Sequence, residues 1–236
     1  MNRKKPQKQK PADDPNAGKF SNMFRKVWWF IWEDDSILSW VVNIILAFIL
    51  VKFIIYPGLG FMLDTSHPIV AVVSGSMEHK IALSPTDPAQ KLRLCDHVFK
   101  EKEHISFDEY WKYCGDWYTK NTDITKDDFR DFPFQNGFNT GDIMILYGKE
   151  PEDIKIGDVI VYQSTRPDPI IHRVVDIDKE EGQYHFQTKG DHNPGSNTDE
   201  LDISEKQVIG NAVIRIPLLG WVKIWFVKAL VAMGVM

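Results

Sequence analysis

Apolar residues fall into three regimes along this chain. From Ile37 to Tyr56 the sequence is apolar almost throughout, broken by Ser39, Asn43 and Lys52. About twenty such residues in a helix cross a hydrocarbon core of about 30 Å, so the run predicts a transmembrane anchor. Asp34, Asp35 and Ser36 supply N-cap and first-turn chemistry at its start, Pro57-Gly58 predicts its stop, and Lys52 lies near one end, where it snorkels. The run is too long for a secretory signal peptide, and the tail before it is unusually extended, which favours a permanent anchor. Phe24 to Trp32, just upstream, mixes basic and aromatic residues in the manner of a segment settled at headgroup level.

The second regime is one of short apolar strands and turns. Ile69-Val70-Ala71-Val72-Val73 reads as a β-branched strand running into Ser74. Gly141-Asp142 and Gly157-Asp158 each open a turn followed by apolar, β-branched residues, and Pro169 to Ile177 and Tyr184 to Lys189 are further strands. Val208 to Arg215 reads as a closing strand. Short strands separated by turns predict a mainly β fold, an antiparallel β-sandwich or partly open barrel. Between its first two parts, residues 80–139 have a helical character and predict an insertion. Helix starts are marked by Thr86-Asp87-Pro88, by the capping box Ser106-Phe107-Asp108-Glu109, and by Thr125. Aromatic residues there recur at helical spacing, as a core would place them. Leu218 to Met236 is the third regime, apolar with Lys223 and Lys228, and is compatible both with a second span and with a helix lying on a membrane surface.

The expected organisation is therefore a disordered basic tail over residues 1–22, an interfacial segment and anchor over 23–57, a β-domain with a helical insertion over 58–216, and a C-terminal apolar segment over 217–236. Arg3, Lys4, Lys5, Lys8, Lys10, Lys19, Arg25 and Lys26 all precede the anchor, which places the N-terminus in the cytoplasm and the β-domain outside. A net charge of -5 argues against nucleic acid as a partner. Cys95 and Cys114 are compatible with one disulfide outside the cytoplasm or with two buried thiols. With no metal-ligand cluster and no glycine-rich phosphate loop in the sequence, neither a metal nor a nucleotide cofactor is expected.

Ser74-Gly75-Ser76 taken alone is a turn. A serine becomes a nucleophile at neutral pH only beside a general base that is itself oriented by a third group. His172 differs from the other histidines in lying within an apolar strand, where its position is rigid, and the carboxylates of the loop from Gly190 to Asp199 are candidates to orient it.

In this order after an anchor, Ser74-Gly75-Ser76-Met77-Glu78, Gly141-Asp142-Ile143, Ile171-His172-Arg173-Val174 and Thr188-Lys189-Gly190-Asp191-His192-Asn193 resemble type I signal peptidase. The resemblance is to the archaeal and endoplasmic-reticulum branch, where histidine replaces the bacterial lysine base, and it runs from the anchor to about Arg215, excluding the insertion. It implies Ser76 as nucleophile, Ser74 with the Ser76 backbone N–H as oxyanion hole, and His172 as base. The first acidic residue of the last motif matches Asp191. The second falls where this chain has Asn197, so Asp199, the nearest acid, is the expected partner of His172, with Asp191 supporting. Glu78-His79 stand where the family usually has proline.

The implied function is a serine endopeptidase of the cell membrane that removes signal peptides from exported preproteins after small residues. Signal peptides, the lipid bilayer and the protein translocation channel are the implied partners. A non-catalytic accessory subunit of the export machinery with the same fold is the alternative.

Overall fold

The computed structural model describes residues 10–83 and 91–232. The expected helix start at Thr86-Asp87-Pro88, the first nine residues of the tail, and Met233 to Met236 lie outside them. The chain forms two compact units that divide between Leu59 and Gly60.

In the first unit, α1 (Lys19–Trp32) is followed by α2 (Ile37–Leu50). Ser36 caps α2, its side chain accepting from the Ser39 N–H. The two polar residues that interrupt the apolar run have a structural use. Ser39 Oγ donates to the Phe30 carbonyl at 2.6 Å, and Asn43 Nδ2 donates to the Ile31 carbonyl at 2.8 Å. Both satisfy carbonyls in the last turn of α1, which have no partner inside their own helix.

Pro57 does not stop the helix. After α2 the backbone widens into a π turn (Val51–Ile55) and continues as α3 (Tyr56–Met62). Proline removes one N–H and crowds the preceding turn, and a π turn immediately upstream gives its ring room. The continuous helix Ile37–Met62 is 26 residues long, the one helix among the described residues that is long and apolar enough to cross a membrane.

The second unit is built on a seven-stranded antiparallel sheet. Its strands are β1 (Ile69–Ala71), β6 (Ile143–Tyr147), β7 (Val159–Tyr162), β8 (Ile170–Glu180), β9 (Gln183–Lys189), β10 (Ile203–Ser204) and β11 (Val208–Ile216), in the order β1-β6-β11-β7-β8-β9-β10. Register shifts in β11 and β8 bend the strands, and the mainly β fold expected from the sequence is an open, curled half-barrel. β1 ends at Ala71, two residues earlier than its sequence suggests, because Val72 leaves the ladder to exchange backbone hydrogen bonds with Asp142 and Gly141 at 2.9 and 2.8 Å.

The insertion is not purely helical. Residues 80–104 contribute a second small sheet of β2 (Lys80–Leu83), β3 (Leu92–Leu94), β4 (His97–Phe99) and β5 (Glu103–His104), ordered β4-β3-β2-β5. The helices follow as α4 (Phe107–Asn121) and α5 (Lys126–Asp131), each with a capping box, at Ser106–Glu109 and Thr125–Asp128. Tyr110, Tyr118 and Phe129 pack with Ile81, Leu94 and Val175 into a core that joins the insertion to β8. Cys95, in the β3–β4 turn, forms a disulfide with Cys114 of α4. The C-terminal helix α6 (Trp221–Ala232) begins three residues after the apolar stretch does.

Candidate active site

The turn from Ser74 to Glu78 is held from below. Met77 is 1% exposed and packs with Val72, Phe138 and Met144, so Ser76 sits above a fixed anchor. The Met77 carbonyl accepts from Phe138 N at 3.1 Å, and Gly137 has φ +65, with room for no Cβ because one would lie 2.2 Å from that carbonyl. Glu78 closes the turn, its N–H donating to the Gly75 carbonyl at 3.1 Å and its carboxylate accepting from Thr140 N at 2.9 Å. The Gly141-Asp142 motif completes the support. Asp142 is fully buried, accepts from Arg215 Nε at 2.6 Å and from Asn139 N at 2.8 Å, and through its carbonyl holds Val72.

Above this floor, Ser76 Oγ lies 2.8 Å from His172 Nε2. His172 is on β8, in register with Ile160 of β7, and is 6% exposed. The other ring nitrogen, Nδ1, donates to Glu200 Oε1. An ionised carboxylate accepts only, so Nδ1 carries the proton and the Nε2 lone pair faces the serine hydroxyl. Ser74 Oγ lies 3.2 Å from Ser76 Oγ on the exposed side. Gly190 lets these groups meet: a Cβ there would stand 2.8 Å from His172 Nε2 and 2.9 Å from the Ser76 carbonyl. That carbonyl accepts from His192 N at 2.8 Å, tying the loop after β9 to the Ser74–Glu78 turn.

The carboxylate against His172 is Glu200 and not the expected Asp199. Asp199 meets Arg166 at 2.9 Å, away from the histidine. Residues Thr198–Glu200 form a 3-10 turn capped by Asn197, and Glu200 Oε2 accepts from Asn197 N at 2.6 Å and from its side-chain amide. The capping box fixes the Glu200 side chain and leaves Oε1 for His172. The pattern Asn197-Thr198-Asp199-Glu200 is the sequence signal that reveals it. Burial opposes the ionisation of Glu200, but the hydrogen bond from His172, with the bonds from Asn197, holds its carboxyl below the usual glutamate value.

Asp191 does not touch His172 either. It is fully buried and receives both Nε and Nη2 of Arg173, at 2.9 and 2.7 Å. Adjacent residues on a strand point to opposite faces, so Arg173 lies on the other side of β8 from His172. The remaining Arg173 hydrogen bonds go to the carbonyls of Pro133, Phe134 and Gly157. Burial opposes ionisation of Asp191, yet Arg173 and the hydrogen bonds from His79 and Arg173 hold its carboxyl far below the usual range. Burial pushes Lys189 down to about 8, partly offset by Asp191 and Glu200; its ammonium donates to the carbonyls of Gly190 at 3.0 Å and Asp191 at 3.4 Å. Of the five residues singled out from the sequence, Ser74, Ser76 and His172 converge, whereas Asp191 and Asp199 hold arginines.

Such an arrangement can attack a carbonyl, pass a proton through a neutral imidazole, and stabilise the imidazolium that results. No family model matches the chain. The signal peptidase complex catalytic subunit sec11 of Schizosaccharomyces pombe is 28% identical over 177 residues, which cover 72% of this chain and 72% of that protein. The subunit SEC11 of Tuber melanosporum is 27% identical over 207 residues, covering 80% of this chain and 78% of its own length. That of Lachancea thermotolerans is 35% identical over 97 residues, and this chain spans 57% of it.

Proposed function

We propose that this chain, a relative of the type I signal peptidases of the archaeal and endoplasmic-reticulum branch, is a membrane-bound serine endopeptidase that cleaves signal peptides from exported preproteins. The observation that carries the reading is the continuous hydrogen-bonded line from Ser76 Oγ through His172 to Glu200.

Ser76 attacks the scissile carbonyl while His172 Nε2 takes the hydroxyl proton. Glu200 keeps the ring in the required tautomer and stabilises its cationic form. The oxyanion receives the Ser74 hydroxyl and the Ser76 N–H, and one such donor contributes about 3 kcal/mol of barrier lowering. Collapse expels the amine, to which His172 returns the proton, and leaves an acyl ester on Ser76. Water then attacks the ester with His172 again as base, releasing the acid and restoring the hydroxyl.

The substrate is an extended segment beside β1, which among the described residues pairs on one side only, with β6, and leads into Ser74. Small residues precede the cleaved bond. The anchor Ile37–Met62 holds the enzyme in the cell membrane with the basic N-terminus inside and the catalytic domain outside, next to the translocation channel that delivers preproteins. The Cys95–Cys114 disulfide favours the same side, since such bonds persist in oxidising compartments.

A serine-acylating lipopeptide inhibitor tests the reading. Covalent capture on Ser76, found by mass spectrometry of the labelled chain, supports a catalytic subunit; no capture under conditions that label a known signal peptidase contradicts it.

A further inference from the structure

His79 takes no part in the hydrolytic steps, yet it stands three residues after Ser76 on the segment that leaves the nucleophile turn. Its side chain is 5% exposed. The ring stacks on Tyr110 of α4 with centroids 3.6 Å apart and planes 5° from parallel. Nε2 lies 3.0 Å from Asp191 Oδ2, and Nδ1 is the one buried side-chain nitrogen or oxygen among the described residues without a hydrogen-bond partner.

These contacts define the state of the ring. Asp191 accepts, so Nε2 bears the hydrogen, and an unpartnered Nδ1 is then a lone pair and not a stranded N–H. Burial agrees, lowering the pKa of His79 despite the opposing pull of Asp191, with Arg173 and Lys189 adding to the lowering. The same Asp191 grips Arg173, the residue after His172. One bridge, Ser76 to His172, therefore crosses between the nucleophile turn and β8, and a second, His79 to Asp191 to Arg173, crosses between the same two segments inside the protein.

We infer that His79 is a positioning residue: through Asp191 and Arg173 it sets the spacing between the segment bearing Ser76 and the strand bearing His172, and its stack on Tyr110 makes the insertion part of that setting. The kinetic part of this inference rests on the peptidase reading. A donor removed from a buried bridge lets two segments shift by a fraction of an ångström, and displacements of about 1 Å cost roughly 100-fold in rate.

The test uses the full chain in detergent–lipid micelles and a peptide carrying a signal-peptide cleavage site. His79→Phe keeps the ring on Tyr110 and removes the N–H. His79→Gln returns an N–H near the Nε2 position. All are compared where circular dichroism shows them folded. The inference predicts kcat down roughly 10- to 100-fold in His79→Phe with KM within about 2-fold of wild type, and recovery to within about 3-fold of wild type in His79→Gln. Should the Phe variant not fold, His79→Asn, whose amide is too short to reach Asp191, takes its place with the same expectation. Unchanged kcat on loss of the donor, or a Gln variant no better than Phe, overturns it. Crystals of the donorless variant read the inference without turnover, and so separately from the peptidase reading. A Ser76 Oγ to His172 Nε2 separation beyond hydrogen-bond reach supports it, and the wild-type 2.8 Å overturns it.

Discussion

Asp199 and Glu200 are neighbours in the chain with different partners: Asp199 holds the Arg166 guanidinium at 2.9 Å, while Glu200 is fully buried and takes the Nδ1–H of His172. Replacing the acid with its amide leaves the geometry but allows the wrong imidazole tautomer, an effect of about 10⁴-fold in the Ser-His-Asp template. Glu200→Gln should therefore lower kcat by roughly 10³- to 10⁴-fold, and Asp199→Asn should change it by less than about 3-fold, since it breaks one exposed ion pair. Steady-state cleavage of a signal peptide substrate by the two variants decides which carboxylate serves His172.

That pair also marks where sequence reasoning reached its limit. The spacing between motifs pointed to the loop but not to the acid, because the deciding interaction is local: Asn197 caps a 3-10 turn and aims Glu200. Ser74, Ser76 and His172 were legible because four ordered motifs resemble those of type I signal peptidase; by themselves they read as a turn and as a histidine on an apolar strand. The helices at Ser106 and Thr125 were legible from their caps. The small sheet of the insertion was not, since strands as short as Glu103–His104 leave too few residues to show a period. Pro57 misled because a π turn, which has no sequence signature of its own, absorbs it.

Gly190 is required by close approach. A methyl group there would lie 2.8 Å from His172 Nε2 and 2.9 Å from the Ser76 carbonyl, and neither neighbour is the free end of a flexible chain. Gly190→Ala should lower kcat by roughly 100-fold while the protein remains folded. Turnover measured beside thermal unfolding checks it: near wild-type turnover means that the Ser76–His172 contact tolerates the displacement.

Asp191 is a stability residue. Its carboxyl is held far below its unfolded value by Arg173, so the stabilisation it contributes is full above a pH of about 4 and is withdrawn as pH falls below that. Asp191→Asn strands the buried Arg173 charge and should cost about 3–5 kcal/mol at pH 7. Urea unfolding at pH 7 and pH 3 should show the gap between wild type and variant shrinking in acid. A gap independent of pH contradicts the pairing.

Lys189 acts in the same direction at higher pH. Burial lowers its pKa to about 8, so the folded chain gives up this proton before the unfolded chain does. Between about pH 8 and pH 10.4 the unfolded state binds more protons, and stability rises with pH there. Wild type should accordingly gain stability relative to Lys189→Met over that interval, read by unfolding midpoints at pH 7.5, 9 and 10; a constant difference contradicts a buried ammonium.

The central claim is that Ser76 is the nucleophile of a signal peptidase. Membranes containing the full chain are incubated with a preprotein, and the mature N-terminus is sequenced. Wild type should release a mature protein cut after a small residue, and Ser76→Ala, expressed to the same level and folded, should release none. Cleavage by Ser76→Ala at the wild-type rate and site would contradict the account.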